Sequence, residues 1–381
     1  MANSDLLSGG IDRRSFVKTS ALATGAFFIN SKFNHLKLAD FPASPFTTPW
    51  ITPLPFANYA TPLPSFQPLD GPPVDPQAHQ HYDQFQPQYY YDYQLCSAYA
   101  RPHPQLGFSL LSTFCGCMPG PTFMMRYGRP ALVRMRNCMP NSMPGFGSPE
   151  TTTHVHNGHH ASESDGTPFY QLQPGMYRDM HYANTYAGFT MTPGGDPLEA
   201  KHTLWYHDHS MDFTAQNTYR GLSGFYLAFD GCDTGNEKDT APDAFRLPSG
   251  VPDGTRVRGR YDIPLVLADR QFDENGLLMM DPMNMDGYIG DKWLVNGRVQ
   301  PYFNVERRKY RFRILAAGPA RYWNLWLSNA MEFQIVATDG IPDYHLELVE
   351  ETEYGNGRYR SWDAIGWSRV TICQLEEIEI L

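Results

Sequence analysis

The sequence lacks a long apolar run, a CxxC pair and an excess of positive charge. A membrane-spanning helix needs roughly 17–25 apolar residues, and the apolar stretch near the N-terminus, residues 19–29, is only about eleven residues long. The 30 Lys and Arg face 40 Asp and Glu, which gives a net charge of −10. These absences argue against a transmembrane helix and against a nucleic-acid partner held through its phosphates.

Cysteine is also scarce, and no zinc-ligand ladder can be read from its spacing. We expect the cysteines to be mainly small buried apolar side chains, with a disulfide left open as the alternative for an exported protein. Cys115 and Cys117 share a face if their segment is a strand. The six cysteines are Cys96, Cys115, Cys117, Cys138, Cys232 and Cys373.

The N-terminus has the features of an export signal. The segment DRRSFVK at residues 12–18 resembles the twin-arginine consensus, and the apolar run follows it directly. We therefore expect residues 1–40 to be a signal region that directs the protein to the periplasm or the cell exterior. The alternative is a chance Arg pair at an unstructured terminus.

A proline-rich segment follows at residues 41–88. Its twelve prolines exclude a helix or a central strand. We predict an extended strap on the protein surface, anchored by Trp50, Phe56 and Phe66. A disordered linker is the alternative on composition alone.

Two series of short strands then predict an all-β protein with two stacked β-sandwich domains. The first domain spans residues 89–232, and its segment 131–137 alternates as a half-buried strand does. A polar segment at 233–258 reads as a linker, and residues 259–381 form the second domain. Further strands are predicted at residues 221–230, 263–270, 293–297, 310–315, 323–327 and 333–337.

The 13 histidines include two His-x-His pairs about fifty residues apart, His154 with His156 and His207 with His209. On a strand, residues i and i+2 point to the same face, so each pair presents two imidazoles side by side. Imidazole suits copper, zinc, iron and nickel. The two pairs therefore predict a metal centre, and a hydrogen-bonded histidine patch is the alternative.

The segments around these pairs resemble the first two copper motifs of multicopper oxidases, closest to the bilirubin oxidase and spore-coat laccase branch. The first is HVHNG at 154–158 with SDG at 164–166, and the second is TLWYHDH at 203–209 with NTYRGLSGFY at 217–226. The PGPT turn at 119–122 matches the same family. The resemblance, over residues 49–381, implies two consecutive cupredoxin-like (plastocyanin-like) Greek-key domains.

By this resemblance the cofactor is copper. His154 would bind the type 2 copper, and His156, His207 and His209 would bind the type 3 pair. Asp165 would deliver protons near the cluster. The resemblance also implies laccase-like oxidation of phenols, pigments or metal ions, with a small-molecule reductant and dioxygen as partners.

The other family motifs, HxxHxH and HCHxxxH, do not occur in this sequence. His345 is the only histidine after His209, and neither Cys232 nor Cys373 has a neighbouring histidine. We therefore expect no type 1 copper site and only half of the eight cluster ligands, with a third domain or a second chain needed for the rest. We also expect a truncated second domain from a shortened, frameshifted or incompletely sequenced gene. The alternative function is a non-catalytic copper-binding or cupredoxin-scaffold protein.

Three further groups have weaker assignments. His159 and His160 are expected beside the metal ligands or exposed, and His202 is expected at a strand end on the surface. A methionine cluster between residues 279 and 285 is interpreted as loop packing, with Cu(I) binding as the alternative.

Overall fold

The computed structural model describes residues 41–63, 73–249, 260–284, 287–323, 325, 327, 333–338, 340–342 and 368–375. The predicted signal region, with its twin-arginine segment at 12–18, lies outside the described residues, as do Phe66, Met285 and residues 250–259 of the predicted linker. Ala43–Leu381 is one compact unit.

The first β domain, residues 89–229, is a sandwich of two four-stranded sheets. Its strands are β1 (Tyr89–Ala100), β2 (Ser109–Phe114), β3 (Gly120–Arg126), β4 (Ala131–Asn137), β5 (Thr153–His156), β6 (Tyr177–Tyr182), β7 (Thr203–Asp208) and β8 (Ser223–Phe229). One sheet has the order β2-β1-β4-β6 and the other β3-β8-β7-β5. The pairs β1/β4 and β3/β8 are parallel, and the remaining pairs are antiparallel.

Short helical elements lie before and between these strands. The helix α1 (Thr214–Arg220) leads into β8 and ends at Gly221, whose φ is 127°. Three 3-10 turns accompany it at Pro76–Ala78, Ser162–Ser164 and Pro197–Glu199.

The second β domain, residues 262–375, is built on one sheet of eight described strands. They are β9 (Asp262–Phe272), β10 (Leu278–Met279), β11 (Lys292–Val295), β12 (Arg298–Val299), β13 (Arg308–Ala316), β14 (Phe333–Thr338), β15 (Ile341–Pro342) and β16 (Ser368–Leu375). The order is β12-β11-β9-β13-β16-β14-β15, with β10 paired to β9. The predicted all-β fold is confirmed.

The core of the first domain lies between its two sheets because alternate residues of each strand point inward. Tyr91, Phe123, Val133 and Tyr206, from four different strands, are all buried in one cluster. The opposite face of the sheet that contains β7 is turned toward the second domain.

Two details of the predicted strands are wrong. Strand β4 was expected to be half-buried, but Arg134 is also buried because its guanidinium donates to Asp179 at 2.7 and 2.8 Å. A buried arginine is tolerated only with such a partner. The described residues of the predicted strand 323–327, which are Trp323, Leu325 and Leu327, lie in no strand.

The proline-rich segment contacts both domains. It forms isolated β-bridges from Pro53 to Tyr302, from Tyr59 to Thr122 and from Leu63 to Tyr90. Of the expected aromatic anchors, Trp50 and Phe56 remain 38% and 59% exposed, although the ring of Phe56 contacts that of Phe303 at 5.9 Å. Leu54, 5% exposed in the core of the second domain, is the buried apolar side chain among the described residues of the segment.

The expected burial of the cysteines is also wrong for the five whose side chains are described. Cys115 and Cys138 are exposed, the other three are half-buried, and all five are free thiols. Cys115 and Cys117 flank a turn after β2 rather than sharing a strand face, since the φ angles of Cys115 and Gly116 are 54° and 73°.

Candidate metal centre

The two histidine pairs meet because β5 and β7 are antiparallel neighbours. In this register His154 lies opposite His207, and His156 lies opposite Trp205. The pairing continues beyond β7, where the His209 amide donates to the Thr152 carbonyl at 2.8 Å. All four imidazoles are thereby brought together from two adjacent strands.

The rings are close enough to share metal ions. The candidate ligand atoms of His154, His156 and His207 all lie within 4.8 Å of one another. The ring centroid of His209 lies 5.2 Å from that of His154 and 5.5 Å from that of His207. Among the described residues, these three histidines form the one group in which at least three His, Cys, Asp or Glu side chains are close enough to bind one metal ion.

Asp165 orients His154 from the turn that follows β5. Nδ1 of His154 lies 2.6 Å from the Asp165 carbonyl oxygen and 3.3 Å from carboxylate Oδ1. Burial lowers the pKa of His154, but the hydrogen bonds and charge of Asp165 outweigh it and raise the pKa above its usual value. Because Nδ1 donates to the carbonyl oxygen, Nε2 remains available for a metal.

Gly166 allows this close approach. Its φ is 73°, and a Cβ at this position would lie 2.0 Å from the Thr153 carbonyl oxygen on β5. Only glycine combines this φ with so short a distance between the two backbone segments. The Ser-Asp-Gly sequence therefore seats the Asp165 carbonyl oxygen against His154.

His207 is held by its own strand. Its Nδ1 lies 2.7 Å from the Asp208 carbonyl oxygen, which also leaves Nε2 facing the other imidazoles. Burial lowers the pKa of His207 well below its usual value, and the neighbouring histidines lower it further. The ring is therefore neutral near pH 7, the form that binds metal.

The donor set fits copper. The ring atom Nδ1 of His209 is buried without a hydrogen-bond partner among the described residues, which is costly unless something binds there. Four clustered imidazoles with Nδ1 of two of them fixed by carbonyl oxygens are typical of a histidine metal site. Among divalent first-row ions, copper binds such a site most tightly.

Two side chains near the site were not placed correctly by the sequence patterns, because one was not predicted there and the other was predicted at the surface. Trp205 stacks on His207, with ring centroids 4.1 Å apart, and on His156 at 5.2 Å. His202 was expected at the surface, but it is buried with Nε2 3.0 Å from Asp230, so that expectation is wrong. The tryptophan stack could have been found from the i+2 spacing of Trp205 and His207.

The structure places the other weaker candidates, two histidines and the methionine cluster, in different environments. His159 is exposed, whereas both ring nitrogens of His160 are buried, with its ring 4.5 Å from that of Tyr182. In the methionine cluster, Met280 packs against Tyr219 and Tyr288, while Met283 is exposed. This placement agrees with loop packing for Met280.

Comparison with known proteins identifies the family. The chain is 32% identical over 259 residues to bilirubin oxidase from Albifimbria verrucaria, covering 66% of this chain and 38% of that protein. It is 32% identical over 279 residues to a laccase from Bacillus stratosphericus, covering 66% of this chain and 50% of the relative. The chain belongs to the multicopper oxidase family. Membership of this family implies copper binding.

Solved multicopper oxidases share the fold. A laccase from Pediococcus acidilactici superimposes with a TM-score of 0.60 at 19% identity, covering 88% of this chain and 58% of that one. A multicopper oxidase variant from Aquifex aeolicus gives a TM-score of 0.54 at 22% identity, with 85% and 57% covered. No family model matches the sequence. The chain thus spans half or less of the length of both multicopper oxidase relatives described above.

In the part of this multicopper oxidase chain that the structure describes, no helix has the length and apolar character needed to cross a bilayer.

Proposed function

We propose that His154, His156, His207 and His209 hold copper as one half of the oxygen-reducing centre of a laccase-like oxidase. The observation that carries the proposal is the mutual distance of the first three ligand atoms, all within 4.8 Å, on two strands in register. By family resemblance His154 would serve the type 2 copper and the other three the type 3 pair.

Bound copper would supply one-electron redox chemistry between a small-molecule reductant and dioxygen. The chain's own contribution is to hold the imidazoles in place. Carbonyl oxygens fix Nδ1 of His154 and His207, so that Nε2 of each faces the centre. Asp165, whose side chain is 34% exposed, lies between solvent and His154, a position suited to passing a proton from water toward the site.

The rest of the centre requires ligands from elsewhere. His345 is the one histidine after His209, and no cysteine in the sequence has an adjacent histidine. We therefore infer that further imidazoles and the type 1 copper come from a third domain or a second chain. Reading the gene beyond codon 381 tests this. Absence of HxxHxH and HCHxxxH motifs in every downstream frame would argue against a third domain encoded there.

Copper titration of the 381-residue chain tests the metal centre itself. We expect bound copper that is lost in His207→Gln and retained in His159→Gln, a matched control because His159 is an exposed histidine in the same domain. Equal copper content in both variants would reject the site. No copper after reconstitution, together with a folded β circular dichroism spectrum, would favour the non-catalytic scaffold.

A further inference from the structure

One face of β7 links the second domain to the metal centre. Residues i, i+2 and i+4 of a strand share a face, so Thr203, Trp205 and His207 lie in line, and His209 follows just beyond the strand. The alternate residue Tyr206 belongs to the core of the first domain. The face of β7 that carries the metal ligands is therefore the one turned away from that core.

The second domain holds the first residue of this line. Arg313 on β13 donates from Nη1 to Oγ1 of Thr203 at 2.6 Å. The same guanidinium makes two bonds of 2.8 Å to the carboxylate of Asp262 on β9, and the Arg313 side chain is fully buried. A buried bidentate pair of this kind has a fixed geometry, so the start of β7 is fixed relative to β9 and β13.

The next residue in the line, Trp205, lies between an interdomain cluster and the imidazoles. We call this cluster the Trp205 cluster. It contains Trp205, Phe225, Leu227 and Phe229 from the first domain and Val266, Leu315 and Ala317 from the second. Trp205 is 4% exposed. It also stacks on the ring of His207, at 4.1 Å and 26°, and on that of His156, at 5.2 Å and 30°.

We propose that Trp205 is a positioning residue through which docking of the second domain fixes the rings of His156 and His207 for metal binding. This inference rests on the proposed copper function. The second domain supplies none of the four histidines, yet its side chains complete the surface against which Trp205 packs. Close-packed side chains have few alternative positions, so the tryptophan restricts rotation of both imidazoles.

The consequence is that copper affinity depends on the packing of the second domain. Partners that orient a metal ligand without touching the metal typically change affinity about 10–100-fold when mutated. Loss of the tryptophan ring should therefore weaken copper binding although all four ligands remain. Truncation of its support in the second domain should act in the same direction.

The test uses the full chain and two matched leucines of the second domain. Leu315 and Leu294 are 0% and 1% exposed, but Leu315 belongs to the Trp205 cluster and Leu294 to a separate one. We expect Trp205→Leu and Leu315→Ala to weaken Cu(II) binding about 10-fold or more, and Leu294→Ala to leave the affinity unchanged. Trp205→Phe, which keeps an aromatic ring on the imidazoles, should retain most of the affinity. Val266→Ala replaces Leu315→Ala if the latter does not fold.

A metal-free measurement separates this inference from the proposed function. In histidine ring NMR spectra of the apo protein, Leu315→Ala, which leaves the indole in place, should shift the signals of His156 and His207, whereas Leu294→Ala should not. Unshifted signals, or equal copper loss in the two leucine variants, would overturn the positioning role. If the wild-type protein binds no copper but the variant still shows the expected shifts, the copper function is rejected and the positioning role stands.

Discussion

At the scale of single residues, Asp208 stabilises the backbone between two ligands. Its fully buried carboxylate accepts from the Thr152 amide at 2.9 Å, from the amide and hydroxyl of Ser210 at 3.1 and 3.0 Å, and from Asn217 Nδ2 at 2.9 Å. Burial raises its pKa to about 6, while these hydrogen bonds act in the opposite direction. The middle residue of the second His-x-His pair is therefore structural.

Asp208→Asn is expected to destabilise the protein. An amide offers one acceptor oxygen and turns its NH₂ toward donors, so at least one buried donor loses its partner, at a cost of about 1–3 kcal/mol. Urea unfolding measures the loss. Asp212→Asn, at an exposed position four residues along the chain, is the control and should change little. Equal stability of the two variants would contradict the role given to Asp208.

Gly166→Ala is expected to separate Asp165 from His154. The new Cβ would lie 2.0 Å from the Thr153 carbonyl oxygen, so the turn must move away from β5. Gly188 has the same φ of 73° with no atom within 4 Å, which makes Gly188→Ala the control for φ strain alone. That strain costs about 1–2 kcal/mol. Urea unfolding should show a larger loss for Gly166→Ala, and copper titration a weaker affinity in that variant only.

At the scale of strands, the sequence predicted where the strands lie better than which of their side chains are buried and what those side chains contact. Alternation located β4 and β13 because the inward face of a strand must be apolar. It could not show that Arg134 is buried, because that depends on Asp179, which reaches it from β6. His202 was misplaced for a similar reason, since it directly precedes β7 whereas its partner Asp230 directly follows β8.

The charged side chains between the domains should make stability depend on pH. Burial raises the pKa of Asp233, but the charges of Arg311 and Arg313 and of the nearby His202 outweigh it, so the pKa lies well below the usual carboxyl range. Such a group stabilises the fold above the unfolded-state value of about 3.9, and its contribution is lost as pH falls through the lower folded-state value.

Asp233→Asn is accordingly expected to lower the free energy of unfolding at pH 7 by about 3–5 kcal/mol, because the buried guanidinium of Arg311 loses the carboxylate to which it donates. In urea unfolding series, the difference in the free energy of unfolding between variant and wild type should decrease as the pH falls below 4. Asp243→Asn, an exposed carboxylate in the same connecting segment, should follow the wild type at every pH. If this free-energy difference stays constant with pH, the ionisation of Asp233 is not what causes it.

At the scale of the whole molecule, the histidine cluster was predictable and the domain interface was not. Two His-x-His pairs on strands define shared faces by spacing alone, and the structure brings His154, His156, His207, His209 and Asp165 together. Their roles toward copper remain predictions. The support of Trp205 by Val266 and Leu315 depends on which surface of the second domain meets β7, and local spacing carries no information about that.

We predict that the 381-residue polypeptide, loaded with copper, shows neither blue colour nor laccase turnover. Blue absorption requires a Cu(II)–thiolate bond in a site with two histidines and one cysteine. No cysteine in the sequence has a histidine neighbour, and among the described residues the metal-capable cluster of three contains histidines alone. Without that site, electrons from a phenol have no entry point to the copper held by the four histidines.

Visible spectra, copper content and oxygen consumption with a generic phenol, measured on the copper-loaded chain, check this prediction. We expect the wild-type chain to bind copper and yet to be colourless and inactive, because the four imidazoles suit copper even where turnover is impossible. His207→Gln should lose this copper. A strong blue band, or sustained oxygen consumption that His207→Gln abolishes, would mean that the chain obtains its thiolate ligand and remaining imidazoles in another way. Assembly with a second copy would then be the first explanation to examine by sedimentation.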